Sequence, residues 1–477
     1  MRHIEGIDRD QITMFPDALD DYISEDNPVR FVDAFVRSLE LSSLGFQRVI
    51  TADTGRPPYH PGDLLRLYIY GYLNRVRSSR RLENEADCNV ELMWLLRRLT
   101  PDFKTIADFR RDNLKAIQKV CRSFTLFCRE CDLFGGELIA IDGSKFKAVN
   151  SRRRNFSKRK LNSFIKKIDQ QIEDYLNDLD EKDDLEAEVH KPTAEEIQEK
   201  IKSLKERKGN LGKLLDELEA SGETQVSFTD PDSRSMPLGQ NHGTQVGYNV
   251  QVSVDAKNYL IIDHDVTNEV NDFNQLDRMA FRAKEILQVD KLEVLADKGY
   301  YDGGQIKACL KKGITPTIPK ANTSANRKRG LFTKQDFRYD QETDCYNCPA
   351  GEIMTFRFQT TEKDRQIKYY ATSSCKHCKI KNRCTRSKDG RRITRWVDEY
   401  LLDEMQRRIE DNPDLLTRRK AIVEHPFGTI KLSMDQGYFL MKGIPKTSAE
   451  MSLSFLAYNI KRVINILGVP KMIEALG

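Results

Sequence analysis

Hydrophobic residues recur at three- and four-residue steps through about the first 130 positions. The segments PVRFVDAFVRSL, PGDLLRLYIYGYLNRV and ELMWLLRRL all show this spacing, which is typical of amphipathic helices. Pro61 stands near the start of the second segment, where a helix tolerates proline because the first turn leaves that backbone donor unused. The pattern therefore predicts a helical N-terminal domain over residues 1–130.

From Glu137 onward the spacing changes to that of strands. The segments ELIAIDGSKFKAV, GYNVQVSVDA, YLIIDHDVTN and KLEVLADKG are short, rich in Val and Ile, partly alternating, and bounded by Gly, Asp and Asn. Helical spacing returns after Trp396. Together these segments predict a second, mixed α/β domain over residues 131–477.

Two stretches interrupt the predicted sheet, at 151–225 and at about 320–395. In the first, apolar residues follow a heptad spacing on two charged segments joined by an acidic loop, which predicts a helical hairpin. Such a hairpin can pack on itself or pair with another subunit, and the self-packed antiparallel form is slightly favoured. The seam consists of Leu161, Ile165, Ile168, Ile172, Tyr175 and Leu179, and of Ile197, Ile201, Leu204, Leu211, Leu215 and Leu218.

The second interruption contains a cluster of cysteines. Cys345 and Cys348 form one Cys-x2-Cys pair, and Cys375 and Cys378 form another after a gap of 26 residues. Two such pairs are typical of a structural zinc site, because each short spacer points two sulfurs at one ion. The spacing leaves open whether Cys384 or His377 replaces one ligand, and whether the cysteines are simply reduced and free of metal.

The composition adds information mainly through the distribution of charge. There is no apolar run of about 18 residues and no signal-peptide pattern, so we expect a cytoplasmic protein. A net charge of +5 with 32% charged residues says little about partners. The basic residues are clustered, however, and the set of clusters favours a nucleic-acid partner. These clusters lie at 77–81, 152–154, 158–160, 327–329 and 379–392.

Two predicted strands each end in an aspartate that is followed by glycine and lysine. They are Asp142 in LIAIDGSKFKA and Asp297 in KLEVLADKG. Glu424, in a helical segment with basic residues nearby, is a third acid. A single aspartate after a strand is usually a turn or capping residue. Three converging carboxylates beside cations instead suit a pair of Mg²⁺ ions acting on a phosphodiester.

In its motifs the chain resembles DDE-type transposases of bacterial insertion sequences, within the IS-four-like superfamily. The resemblance covers nearly the whole chain, and the motifs are specific only in combination. They are YHPGDLLRLYIYGYLNRVRSSRRLE, PDFKTIADFRRDN, IAIDGSKFKA, GYNVQVSVD, ADKGYYD, EHPFGTIK and AYNIKRVINILG.

The resemblance implies an RNase H-like catalytic domain in which Asp142, Asp297 and Glu424 are the catalytic and Mg²⁺-binding triad. The family's Tyr-x2-Arg-x3-Glu-x6-Lys pattern is matched here at the glutamate and at Lys431. Lys420 stands where arginine is expected and Thr417 where tyrosine is expected. A lysine cannot reproduce a bidentate arginine contact.

Three basic residues near the glutamate are predicted to contact DNA: Arg419, Lys420 and Lys431. If the helix continues through EHPFGTIK, the seven residues from Glu424 to Lys431 amount to about 700° of rotation and roughly 10 Å of rise. Lys431 would then lie on the glutamate face, too far for a metal but within reach of a phosphate. Pro426 tests this premise, since it removes a backbone donor inside the helix.

The resemblance implies cleavage at transposon ends and strand transfer into target DNA, by a homodimer or higher oligomer bound to terminal inverted repeats. A related nuclease that only cuts is the alternative enzyme. A domesticated, non-catalytic DNA-binding protein would be expected to have lost an acid, and all three acids are present. An RNA-binding zinc protein would leave the arrangement of acids unexplained.

Overall fold

The computed structural model describes residues 18–50, 57–150, 155–182, 194–220, 222–223, 225–227, 229–238, 243–320 and 325–477. The basic cluster 152–154, the acidic loop of the predicted hairpin and the side chain of Leu179 lie outside the described part. Within that part, no helix is both long enough and apolar enough to cross a membrane.

The helices occupy both ends of the chain and the hairpin insertion. They are α1 (Pro28–Ser38), α2 (Leu41–Leu44), α3 (Pro61–Leu73), α4 (Ser79–Cys88), α5 (Val90–Leu95), α6 (Phe103–Asp112), α7 (Leu114–Glu130), α8 (Lys158–Lys182), α9 (Ala194–Ala220), α10 (Leu276–Leu287), α11 (Gly303–Lys311), α12 (Ala325–Lys328), α13 (Lys381–Cys384), α14 (Glu399–Asp411), α15 (Asp414–Gly428), α16 (Ile444–Leu467) and α17 (Val469–Glu474). The helices before the first strand do not have a core of their own. Both α3 and α7 pack against α16, so these helices and the central sheet share one apolar core.

The strands form a central sheet and two smaller sheets. They are β1 (Leu138–Lys147), β2 (Asn155–Ser157), β3 (Gln225–Ser227), β4 (Arg234–Pro237), β5 (Thr244–Asp255), β6 (Ile261–Thr267), β7 (Leu292–Ala296), β8 (Ile314–Thr317), β9 (Arg338–Asp340), β10 (Cys345–Asn347), β11 (Ile353–Glu362), β12 (Arg365–Ala371) and β13 (Arg392–Trp396). All four strands predicted for the main sheet are present, as β1, β5, β6 and β7. The short strands β4 and β8 were not predicted.

The central sheet has the order β4-β5-β1-β7-β8, and β6 also pairs with β5. Strand β1 is antiparallel to β5 and parallel to β7, and β7 is parallel to β8. The antiparallel strands therefore come first along the chain and the parallel strands follow. Helix α15 packs against β1, β5 and β7, which places it over the middle of the sheet.

The first insertion is a helical hairpin that packs on itself, as the seam predicted. Helices α8 and α9 contact each other, and β2 pairs antiparallel with β3 at the base of the hairpin. Lys208 Nζ lies 2.5 Å from Asp169 Oδ1 across the two helices. Burial follows one stripe along the length of the two helices, where Leu161, Ile168, Ile197, Ile201 and Leu218 are buried.

The second insertion forms its own sheet, with the order β13-β12-β11-β10-β9. Its apolar core is small and separate from the main core, and Cys348 and Cys384 pack against it. The buried residues of this small core are Phe337, Tyr346, Met354, Tyr370 and Ile393.

Candidate active site

Asp142 and Asp297 lie next to each other on neighbouring parallel strands. The last residue pair between β1 and β7 is Ile141 with Ala296, and each aspartate comes directly after it. The two strands predicted to carry these aspartates are therefore neighbours in the sheet. The expectation that Asp142 ends its strand is wrong, because β1 continues to Lys147 by pairing with β5.

Asp142 is a partly buried carboxylate held by two groups. The backbone N–H of Gly143 donates to Asp142 Oδ1 at 2.9 Å, and Arg419 Nη1 lies 3.4 Å from Oδ2. Burial raises the pKa of Asp142 to about 6; Arg419 and the Gly143 N–H oppose the rise, and the carboxylates of Asp272 and Asp297 add to it. A cation bound nearby would lower this pKa, since it favours the charged form of the carboxyl group.

Asp297 stands at the start of a short 3-10 turn, Lys298–Tyr300, and its side chain accepts a hydrogen bond from the backbone N–H of Lys298. Tyr300, at the end of this turn, is fully buried and its hydroxyl donates to Gln251 Oε1 on β5. The turn is thus anchored to β5, which lies on the far side of β1 from β7, so the chain just after Asp297 is held in place.

Glu424 is on α15, but its side chain is exposed. It follows Arg419 by five residues, which is about 140° around an α-helix, so the two side chains leave α15 in different directions. No three His, Cys, Asp or Glu side chains in the described ranges are placed to hold one metal ion. The structure therefore brings Asp142 and Asp297 together without completing a three-carboxylate site through Glu424.

The arginine contact to the site comes from Arg419, one residue before the family's position. Lys420, which occupies that position, is exposed. Because consecutive helical residues point about 100° apart, only one of the two can face the sheet. The rotation of α15 about its axis turns Arg419 toward the sheet, and its guanidinium reaches Asp142.

Lys431 is attached to β1 rather than extended into solvent. Helix α15 passes through Pro426 to Gly428, and a π-helical turn then covers Thr429–Ser433. Lys431 Nζ donates to Ser144 Oγ at 2.6 Å and to the Lys145 carbonyl at 2.8 Å. Burial lowers the pKa of Lys431 to about 8, although Asp142 favours its charged form.

Three residues of the site were missed by the sequence analysis. Asp272 lies between β6 and α10, and its Oδ1 accepts hydrogen bonds from Asn249 Nδ2 and Gln251 Nε2, both at 2.7 Å. A signal for the two amides was present, since they alternate with valines in YNVQVSV and so point to one face of a buried strand. Asp272 stands in a segment with no periodic pattern.

Several buried polar atoms around these carboxylates have no hydrogen-bond partner in the described part of the chain. They are Lys145 Nζ, Asn249 Oδ1 and Arg419 Nη1. Buried polar groups are normally satisfied, and an exception calls for an explanation such as a missing ion or ligand. The two cations nevertheless form ion pairs, Lys145 with Asp272 at 3.7 Å and Arg419 with Asp142 at 3.4 Å, so of these three atoms it is the Asn249 oxygen that calls for a partner.

The clustered cysteines form a second candidate site. Cys348, Cys375, Cys378 and Cys384 line one small cavity, whereas Cys345 is buried on β10 with its Sγ 2.9 Å from Thr343 Oγ1. Burial raises the pKa of the Cys384 thiol; Arg391 lowers it, and the other three cavity cysteines raise it. These four thiols are therefore neighbours, although among the described residues they are not yet close enough to form a ready metal-binding group.

Two family comparisons match separate parts of the chain. Residues 347–464 match the family described as "Transposase DDE domain", and residues 17–112 match the "Transposase domain (DUF772)". Two parts of the chain are thus similar to transposase domains, one of them of the DDE type. The first match contains Glu424, Lys431 and the four cavity cysteines, and it does not extend to Asp142 or Asp297.

Comparisons of the chain as a whole add little. A solved cryo-EM structure of a piggyBac transposase synaptic complex with hairpin DNA is similar, with 10% sequence identity and a TM-score of 0.32. The alignment covers 94% of this chain and 79% of that chain. No curated protein matches.

Proposed function

We propose that this transposase cleaves DNA at the ends of its element and joins the freed 3′ hydroxyls to target DNA. The observation that carries the proposal is the side-by-side position of Asp142 and Asp297, directly after the last residue pair of β1 and β7. The order β6-β5-β1-β7-β8, with three antiparallel strands followed by two parallel ones, supports an RNase H-like catalytic domain.

Asp142 and Asp297 would hold a divalent metal ion, Mg²⁺ or Mn²⁺. Both are carboxylates, the ligand type that hard cations prefer. Burial raises the pKa of Asp142, and a bound cation would favour its charged form. Ions bound there would activate the attacking water or hydroxyl and stabilise the leaving oxygen. Glu424 stays the predicted third acid, on the helix that packs over both strands.

The chain's own cations would position the DNA. Arg419 lies beside Asp142, and Lys145 and Lys431 follow on β1 and on the turn attached to it. Their charges would bind phosphates next to the reacting one and orient the scissile bond. We also propose transposon ends and target DNA as partners, with a dimer or higher oligomer to hold two ends together.

Purified protein incubated with DNA carrying the element's own ends should cut in Mg²⁺ or Mn²⁺ and not in EDTA. Ca²⁺ should support binding more than cleavage, since it is larger and less demanding of geometry. The measurement is the yield of nicked DNA with each ion, with binding measured on the same DNA. Cleavage that persists in EDTA would contradict the metal-dependent reaction, and cutting without joining to target DNA would favour the nuclease alternative.

Lys431→Ala should weaken binding to the transposon end and flatten its salt dependence, because one fewer phosphate is neutralised. The slope of log K against log salt should fall by about 0.9. Binding measured at several salt concentrations tests this, with Lys461→Ala, an exposed lysine on α16, as the control. A slope equal to that of the wild type, in a variant that melts at the wild-type temperature, would contradict the phosphate contact. Lys431 would then serve only to stabilise β1 through its hydrogen bonds.

We further propose a structural zinc ion in the cysteine-rich insertion, held by Cys348, Cys375, Cys378 and Cys384. The sequence predicted Cys345 in place of Cys384, but Cys345 does not line the cavity that the other cysteines share. Thiolates are the ligands of structural zinc, and four of them close a tetrahedral site. Binding would draw together thiols that the chain already places around one cavity.

A further inference from the structure

We propose that the cysteine-rich insertion is a docking surface for the DNA backbone that does not depend on base sequence, an inference that rests on the function proposed above. The insertion, residues 320–395, contains 19 Lys and Arg residues and 8 Asp and Glu residues, which is a net charge of +11. The whole chain has a net charge of only +5, so the rest of it is negative. The positive charge is thus concentrated in the insertion, and a polyanion such as DNA is the partner that this concentration fits.

The charge is densest in residues 376–392, which we call the basic segment. It contains eight Lys and Arg residues and a single acid, Asp389. Six of the eight cations are exposed, namely Lys376, Lys379, Arg383, Arg386, Lys388 and Arg392. In the described part of the chain, the ion pairs of the insertion are formed by other cations, namely Lys334, Arg365, Lys368 and Arg395. The charges of the basic segment are therefore open to phosphates.

Contacts within the insertion hold the basic segment in place. The short helix α13 lies in its middle, and Lys381 Nζ donates to the backbone carbonyl of Lys388 at 3.1 Å. A Cβ at Gly390, whose φ is 93°, would lie 2.6 Å from the Cβ of Cys375, so the chain packs closely against the cysteines here. A surface that is already ordered loses less conformational entropy on binding, so more of its attraction for phosphate appears as affinity.

The basic segment is connected to the candidate active site through β12. At one end of this strand, Arg365 Nη2 lies 2.6 Å from Asp302 Oδ2, five residues after Asp297. At the other end, Ala371 pairs with Arg392 of the basic segment. A strand of this length measures about 20 Å. The cations therefore lie at the end of the insertion away from the Asp302 contact, which suits a role in holding DNA rather than in the reaction.

The chemistry of the basic segment favours contacts to phosphate over contacts to bases. Exposed Lys and Arg side chains bind phosphate oxygens, which carry no sequence information. Sequence is read by side chains that reach base edges, and a helix or strand pair that enters a groove usually carries them. Helix α13 has only four residues. We therefore expect the insertion to contribute equally to the binding of transposon ends and of unrelated DNA.

The test is binding of the full-length protein, at several salt concentrations, to two duplexes of equal length, one with the element's end and one of unrelated sequence. The variant is Arg386→Ala/Lys388→Ala/Arg392→Ala. Its slope of log K against log salt should be smaller by up to about 2.7 on both duplexes, because each phosphate contact contributes about 0.9. The loss of affinity between about 50 and 200 mM salt should then be up to about 40-fold smaller than in the wild type.

The matched control is Lys202→Ala/Lys205→Ala/Lys213→Ala, which removes three exposed lysines of α9. This helix has six Lys and Arg residues and seven Asp and Glu residues, so its charge is balanced, and the control should keep the wild-type slope on both duplexes. If the first variant melts early, glutamine at the same three positions removes the charges with less loss of side-chain volume.

A folded alanine or glutamine variant with the wild-type slope on both duplexes would overturn the docking surface and leave the proposed function standing. A smaller slope on the transposon end alone would overturn the independence from sequence. Wild-type protein that binds neither duplex would remove the proposed function, and this inference with it.

Discussion

Asp142→Asn and Asp297→Asn should each lower the rate of DNA-end cleavage by about a thousand-fold or more while leaving binding to the end nearly unchanged. Each change keeps the shape of the side chain and removes one ionic oxygen from the metal site. Metal-based stabilisation of the transition state is worth several kcal/mol, and each factor of ten in rate corresponds to about 1.4 kcal/mol. Cleavage and binding of one labelled transposon end measure the two effects separately.

Glu424→Gln belongs to the same experiment, because the resemblance makes Glu424 the third acid while the structure leaves it exposed. We expect cleavage to be abolished here too, with Glu404→Gln, an exposed acid on α14, as the control. Full cleavage by Glu424→Gln alongside inactive Asp142→Asn would remove Glu424 from the site.

The strands that position the site could be predicted because they are strongly patterned. The valines and isoleucines of β1, β5, β6 and β7 satisfy the rule for buried strands, and all four strands are found. Strand β8, with the sequence ITPT, contains a proline and is only four residues long, so the local sequence pattern does not predict a strand there. Strand β4 is equally short. Both are strands because a longer neighbour pairs with them.

The aspartates on β1 and β7 could be predicted because each follows a run of apolar residues. Asp272 could not, because its position depends on hydrogen bonds to residues more than 20 positions away in sequence. The sequence could not show, for a similar reason, that Arg419 rather than Lys420 contacts the site. A motif fixes the spacing along the chain, but which of two consecutive basic residues faces the sheet depends on the rotational phase of α15.

The choice among five clustered cysteines shows the same limit. Two Cys-x2-Cys pairs suggested Cys345 as a ligand, but strand β10 directs this residue into a buried position beside Thr343. Cys384, six residues after Cys378, ends the short helix α13 and returns to the cavity. Sequence spacing describes how close two cysteines can come, whereas the fold of the loop determines which ones share a cavity.

The zinc ion proposed for the insertion would matter for stability, because the core of the insertion is small. Five buried residues are few for a five-stranded sheet, and small cores of this kind usually depend on a disulfide or a metal. All the clustered cysteines are free, so a metal is the cross-link that the chain offers. Its loss should unfold the insertion locally, since a structural zinc site contributes directly to folding.

Cys384→Ser should therefore reduce bound zinc from about one ion per chain to well below one, because four thiolates close a single tetrahedral site. It should also lower the melting temperature, since the insertion loses its cross-link. Cys345→Ser is the matched control, because Cys345 is in the same sheet and outside the cavity, and it should keep its zinc. Metal content by mass spectrometry and thermal unfolding measure both effects. Loss of zinc in Cys345→Ser with retention in Cys384→Ser would restore the ligand set that the spacing suggested, and a wild-type protein that is free of zinc and equally stable would remove the metal from this insertion.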